Sequence, residues 1–179
     1  MRPREFLAGV LLLLAAVPVH AEMIQGSGFS FFLSAPAGWV LDKSMASQAE
    51  ADAVLYPQGT TYQNAPSILY VSVTGKGDGF KNLSDLKLQD EASARQNNPR
   101  FHLQTGPVLQ TQLKKSVPLF LYLGLKDGSG EAIAYVEEPE AVVTFTLTST
   151  NEQILREDLP ALQAAVESYE FMGNSAETP

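Results

Sequence analysis

Three groups of residues have types and spacing that suit chemistry or molecular contact. Glu137-Glu138-Pro139-Glu140 sets three carboxylates within four residues, and such oxygens are what a hard divalent cation takes as ligands. The same residues equally suit a solvated turn whose charges guard a strand edge. Tyr62-Gln63-Asn64 lies in a polar loop over residues 58–66. A tyrosine between polar neighbours suits a binding rim on a rigid scaffold as well as an ordinary surface loop. Phe120 and Tyr122 form the third group, the aromatic positions inside an otherwise aliphatic run from Val117 to Leu125.

Stronger catalytic signals are missing. The chain has no nucleophile elbow, zincin helix, phosphate loop or calcium-binding loop. Gly75-Lys76-Gly77 lacks the upstream glycine of a phosphate loop, and Gly128-Ser129-Gly130 reads as a hairpin turn. Beyond residue 21 there is a single histidine, His102, so a paired-histidine site is impossible and a Ser-His-Asp triad would have to run through it. His102 stands near a strand end with no nucleophile motif beside it. The chain has no cysteine, which removes thiol chemistry and disulfides together. No motif implies a cofactor or a bound metal.

The N-terminus reads as an export signal. Arg2 and Arg4 precede an apolar run over residues 6–17, and Val19-His20-Ala21 offers a small-residue cleavage site. The run is too short for a stable membrane anchor, and no cysteine follows it for lipid attachment. A signal peptide over residues 1–21 is therefore expected, with an exported protein, periplasmic or secreted, and no membrane span after cleavage. Of 179 residues, 158 remain, enough for one domain with a proper core. Removing Arg2, Arg4 and Glu5 from 12 basic and 20 acidic residues leaves ten against nineteen, a net charge of −9. Such a surface repels phosphate backbones and anionic lipid, so no nucleic-acid partner is expected.

Side-chain periodicity gives the elements that must position these groups. In the run 117–125 both alternating faces are apolar, which marks an inner strand covered on both sides. It leads through Asp127-Gly128-Ser129-Gly130 into a return strand over 131–136 and then a third over 141–149, a three-strand meander. Val143, Phe145 and Leu147 face one way along that third strand, and Thr144, Thr146 and Thr148 face the other. Upstream, Phe29, Phe31 and Leu33 share one face of a strand. Pro36-Ala37-Gly38 is turn chemistry, so Trp39-Val40-Leu41 is expected to return as the second arm of a hairpin, with Trp39 anchoring it in the core. Residues 44–52 suit a helical turn. Strands follow at 53–56 and 67–73, and His102–Thr105 and 108–112 read as one strand bent at Gly106-Pro107.

Two helices complete the pattern. Asn82 is an N-cap with Asp85 three residues on, opening a helix whose stripe of Leu83, Leu86, Leu88, Ala92 and Ala94 is ragged, so much of it should be wet. Leu155, Leu159, Leu162, Val166 and Tyr169 form a continuous stripe. Because proline suits only a first turn, the main helix is expected from Leu159, after a short turn over 151–156. Phe171 should tuck back against the sheet, and residues 173–179 read as a polar tail. One domain over 22–172 follows.

This order resembles the PsbP-like fold, the family of the photosystem II extrinsic protein PsbP, the Mog proteins and the bacterial DcrB-type envelope proteins. Four stretches carry the resemblance: residues 31–39 (FFLSAPAGW), 64–71 (NAPSILYV), 82–86 (NLSDL) and 166–171 (VESYEF). It implies an α+β protein, an α/β/α sandwich with a central, mainly antiparallel sheet and a C-terminal helix packed on it. It also implies a non-enzymatic accessory protein that binds another protein of the envelope. Two other readings remain: a small-ligand carrier with an opening between the first helix and the sheet, lined by Phe120, Tyr122 and Tyr70, and a carboxylate-based hydrolase. The aromatic face of the 117–125 strand, under the ragged helix, is where function is expected.

Overall fold

The computed structural model describes residues 21–26, 28–77 and 79–174. The signal peptide expected over residues 1–21 lies outside the described residues apart from Ala21, as do residues 175–179 of the expected tail.

The strands of the central sheet follow the sequence closely from residue 53 onward. β4 (Ala53–Pro57), β5 (Ser67–Gly75), β9 (Leu119–Leu123), β10 (Gly130–Glu137) and β11 (Ala141–Ser149) join β3 (Trp39–Leu41) and β6 (His102–Thr105) in a seven-stranded antiparallel sheet of order β3-β4-β5-β11-β10-β9-β6. β9 is internal, as its two apolar faces require, because β6 pairs along its outer side. The meander β9-β10-β11 has the expected turns. Gly106 and Gly124 mark close approaches: a Cβ on Gly106 would meet the Leu119 side chain, and one on Gly124, at φ +72, would meet the Arg100 carbonyl.

One sheet face carries the main core. α2 (Glu152–Ser168) lays Leu155, Leu162, Ala165 and Val166 on Leu119, Leu121, Leu123, Ala132, Ala134, Phe145 and Leu147, all buried. Ala132 and Ala134 leave the room that a close helix needs. The helix opens on Asn151, whose Oδ1 accepts the Ile154 amide at 2.9 Å. It runs unbroken through Pro160, against the expected start near Leu159. The ring removes one hydrogen bond and costs about 3 kcal/mol. Burying four side chains on one stripe, at about 1.5–3 kcal/mol for each large aliphatic one, outweighs that only if the helix stays whole.

The N-terminal hairpin expected from the turn chemistry is replaced by a different arrangement. β2 (Phe29–Leu33) leaves the central sheet and lies between β1 (Glu22–Gln25) and β12 (Glu170–Asn174) in a separate three-stranded sheet. Trp39 and its neighbours pair instead with β4. The physical reason is cover: Phe31 and Leu33 reach zero exposure beside the end of α2, where Phe31 packs 5.8 Å from the Tyr169 ring. Trp39 remains a core anchor at 7% exposure. Gly173 and Asn174, assigned to the tail, pair with Ser30 and Phe29 in β12, and Phe171 packs on the core from that strand.

Two further readings change. Residues 43–52 form turns rather than a helical segment. The strand expected to bend at Gly106-Pro107 splits between sheets: β6 joins the central one, while β7 (Leu109–Gln110) pairs with β8 (Ser116–Val117) in a two-stranded ribbon.

The opposite face carries α1 (Leu83–Asn97) over its β9 and β10 end, and the chain is thus the α/β/α sandwich expected. Asn82 caps the helix through a 3.0 Å bond from the Asp85 amide. None of its residues is fully buried. Leu83, Leu86 and Ala94 are half-buried against Phe80, Phe101, Tyr122, Ile133, Tyr135 and Val142, a second and smaller core. The aliphatic side of β9 meets α2, and Phe120 and Tyr122 lie toward α1.

Candidate functional site

The α1 face of the sheet is built from four registered strands. Ile68, Thr148, Glu131 and Tyr122 stand in one row across β5, β11, β10 and β9, and Tyr70, Thr146, Ile133 and Phe120 in the next. Ser72, Thr144 and Tyr135 follow. α1 shelters only the β9 and β10 end of these rows. Tyr122 and Tyr135 are sealed at 1% and 0% exposure, whereas Ile68, Tyr70, Ser72, Thr144, Thr146 and Thr148 stay half-exposed. The face therefore divides into a covered aromatic half and an open half of threonine, serine and tyrosine.

The covered half holds a chain of hydroxyls. Tyr122 and Tyr135 share a hydrogen bond of 3.2 Å between their hydroxyl oxygens, and the Tyr135 hydroxyl also donates to Oδ2 of Asp90 on α1 at 2.7 Å. Rings pack around them: Phe101 lies 5.4 Å from Tyr122 and Phe120 lies 6.1 Å from Tyr135. Lys87 sits 4.9 Å over the Phe120 ring and Arg95 5.2 Å over Phe101, both also bound to Glu91. Burial pushes the Tyr122 hydroxyl up to about 12 and raises Tyr135 as well, so both stay protonated donors.

Beneath the C-terminal half of α1 is a cleft of about 250 Å³ lined by Asp90, Ser93, Ala94, Asn98, Tyr122, Leu125, Glu131 and Ile133. It shares Asn98, Leu125 and Glu131 with a more open hollow of about 660 Å³ beside the β9–β10 turn. Asp90 and Glu131 are the carboxylates of the cleft. Burial raises both above their ordinary values; Tyr135 opposes the shift at Asp90, and Thr148 opposes it at Glu131, where Asp127 and Asp90 add to it.

The residues singled out from the sequence occupy three separate places. Phe120 and Tyr122 lie together in the covered half. Of the three aromatics expected around a ligand opening, Tyr122 alone lines the 250 Å³ cleft, because Phe120 packs on Tyr135 and Tyr70 lies in the open half. Tyr62 sets its ring edge-on to Tyr70 at 6.5 Å, which puts the loop on the rim of that open half. Gln63 and Asn64 are both exposed, and the Asn64 Oδ1 accepts the Thr61 amide of its own loop at 2.7 Å.

The acidic turn splits by side. Glu137 pairs with Lys76 at 2.9 Å, which holds its carboxyl below the ordinary value. Glu138, only 5% exposed, pairs with Lys115 at 2.6 Å and accepts from the Tyr169 hydroxyl at 3.3 Å. The Glu140 carbonyl accepts the Lys76 amide at 2.8 Å. Among the described residues no three His, Cys, Asp or Glu side chains are grouped to hold a metal ion. His102 is exposed on the edge strand β6, its ring 3.4 Å from the Arg100 carbonyl.

Asp90 and Glu131 were not singled out from the sequence, although their periodicity was readable. Asp90 stands four residues from both Leu86 and Ala94, on the inward stripe of α1, and Glu131 lies two before Ile133 in the inward row of β10. A carboxylate interrupting an apolar stripe is the signal.

No family model matches the sequence, and no curated protein matches it either. Solved structures do. The solution structure of cyanobacterial PsbP (CyanoP) from Synechocystis sp. PCC 6803 matches over 89% of this chain and 96% of that one, with a TM-score of 0.51 and 13% sequence identity. At that identity the likeness speaks for the fold. Two helices on opposite faces of a mostly antiparallel sheet, in this order along the chain, make the fold of this protein PsbP-like.

Proposed function

We propose that this protein is an exported, non-enzymatic binding protein whose open half-sheet, between α1 and the Tyr62 loop, docks a protein partner of the envelope. The observation that carries the reading is the uneven cover of one sheet face. Ile68, Tyr70, Ser72, Thr144, Thr146 and Thr148 form a partly exposed surface on paired strands, with tyrosine and short hydroxyl side chains that lose little entropy on contact. Tyr62, Gln63 and Asn64 rim it. The signal-peptide pattern supports export, and the resemblance to PsbP-like proteins supports binding rather than catalysis. Among the described residues no helix is long and apolar enough to cross a membrane.

The test is site-specific photo-crosslinking in cells. A photoreactive residue in place of Thr146 or Tyr70 is expected to yield one protein adduct, and the same residue in place of the exposed Glu157 on α2 none. Equal labelling from all three positions, or none from Thr146 and Tyr70, overturns the reading.

The small-ligand alternative now rests on the cleft under α1. Its volume of about 250 Å³ is below the range of roughly 300–1,000 Å³ usual for small-molecule sites. The carboxylate hydrolase alternative would use Asp90 and Glu131. Asp90 is engaged by Tyr135, and neither carboxylate is accompanied by a nucleophile motif.

A further inference from the structure

We infer that α1 is a pH-responsive cover: Asp90 from the helix and Glu131 from the sheet face one small cleft with no cation between them, and mild acid tightens the helix onto the sheet. This goes beyond the docking of a partner and does not depend on it.

The helix is weakly held by apolar contact. No residue of α1 is fully buried, its moderately buried anchors are Leu83, Leu86 and Ala94, and Leu88 is 61% exposed. Polar contacts therefore decide how firmly it docks. Among them are the Asp90–Tyr135 bond, the seating of Lys87 over Phe120 and of Arg95 over Phe101, and, at the C-terminal end, Asn98 Oδ1 accepting the Lys126 amide at 2.8 Å.

The charges around the cleft leave the two carboxylates unneutralised. From α1 itself, Lys87 and Arg95 are committed to Glu91, at 2.8 and 2.7 Å. From β9 and β10 come the neutral hydroxyls of Tyr122 and Tyr135. From the β9–β10 turn, Asp127 adds a further negative charge that acts on Glu131, and Lys126 lines the wider hollow rather than the cleft. From β5, Tyr70 feels the charge of Glu131, and on β11 the Thr148 hydroxyl donates to Glu131 at 3.4 Å. No Lys, Arg or His nitrogen lies within ion-pair distance of Asp90 or Glu131 among the described residues.

The direction of the effect follows from linkage. Both carboxyls are raised on docking, so the docked helix binds more protons than the released one. Docking strengthens as pH falls through the raised values, and the gain is complete below the ordinary values of 3.8 and 4.5. A protonated Asp90 still accepts from Tyr135 through its carbonyl oxygen, so the hydrogen bond survives while the repulsion goes.

Hydrogen–deuterium exchange on the full-length mature protein tests this, with protection corrected for intrinsic exchange and compared between α1 and α2. Lowering the pH from about 7.5 to about 4.5, the ordinary value for Glu131, is expected to raise α1 protection by about twofold or more while α2 stays level. Asp90→Asn with Glu131→Gln should abolish the difference, and Tyr135→Phe, which keeps both carboxylates, should preserve it. Should the double variant not fold, Glu131→Gln alone should reduce the difference. Overturning results are an α1 protection that does not change with pH, one that changes in step with α2, or a pH effect that persists without the carboxylates.

Discussion

Single side chains show how differently the two sheet faces respond to charge. Leu123 is 2% exposed between β9 and α2, where a carboxylate would have no partner. Leu123→Asp is expected to cost more than about 4 kcal/mol, a large part of the total stability of a domain this size, and to leave no cooperative unfolding transition. Thr146 is half-exposed in the open half, so Thr146→Asp should cost less than about 1 kcal/mol. Thermal melts of the two variants read the contrast directly, and similar melting temperatures would contradict the assignment of faces. Tyr135→Phe is a milder change: it removes the donor to Asp90 and the partner of Tyr122, with an expected loss of about 1–2 kcal/mol in denaturant unfolding. The alternation of Thr144, Thr146 and Thr148 with Val143, Phe145 and Leu147 was legible at this scale because period two is a local property. That Asp90 and Glu131 meet was not, because forty-one residues of chain separate them.

At the scale of elements, α2 shows packing overriding propensity. Pro160 is exposed in the middle of a helix whose opposite stripe is buried. Pro160→Ala restores the missing backbone donor without disturbing any core contact. It should stabilise the protein by about 1–2 kcal/mol, the helix gain of about 3 kcal/mol less the entropy returned to the unfolded chain. A lower melting temperature for this variant would mean that the ring itself makes a contact worth keeping. α1 is the opposite case, a well-capped helix with little buried surface; its cap at Asn82 and its ragged stripe were both visible in the sequence. The pairing of β2 was not visible. A Pro-Ala-Gly turn permits a hairpin, but it does not say which strands are nearer neighbours once the chain has folded. Phe29, Phe31 and Leu33 find cover next to Tyr169 and Phe171, more than 130 residues away in sequence.

At the scale of the molecule, two sets of carboxylates among the described residues have opposite pH behaviour. Asp90 and Glu131 are raised by burial, and they favour the folded state as pH falls from neutral toward their ordinary values. Asp42 is held below its ordinary value by Ser44, Glu91 by Lys87, Asp127 by Ser129 and Glu137 by Lys76. Their stabilising contribution is present above the ordinary values and is lost as pH falls through the lowered ones. The two windows overlap only between 3.8 and 4.5, the ordinary values of Asp and Glu. Stability should therefore rise from neutral pH into mild acid and then fall below the ordinary carboxylate range. A melting-temperature series across pH checks this; a monotonic decline from neutral downward would contradict the raised pair.

Local spacing was enough to settle the strands of the central sheet and the two helices, the two-sided cover of β9, the division of its faces between α2 and α1, and the PsbP-like order of elements. These depend on which side chains repeat at period two or 3.6, and neighbours in sequence carry that information. Only the folded chain decided that Phe29–Leu33 leaves the central sheet, that the helix runs on through Pro160, and that Glu137 and Glu138 are drawn to opposite lysines. It also decided that one sheet face is half open and half sealed, with two carboxylates beneath the seal. Each of these is a competition among surfaces for cover, and the competitors come together only when distant segments pack.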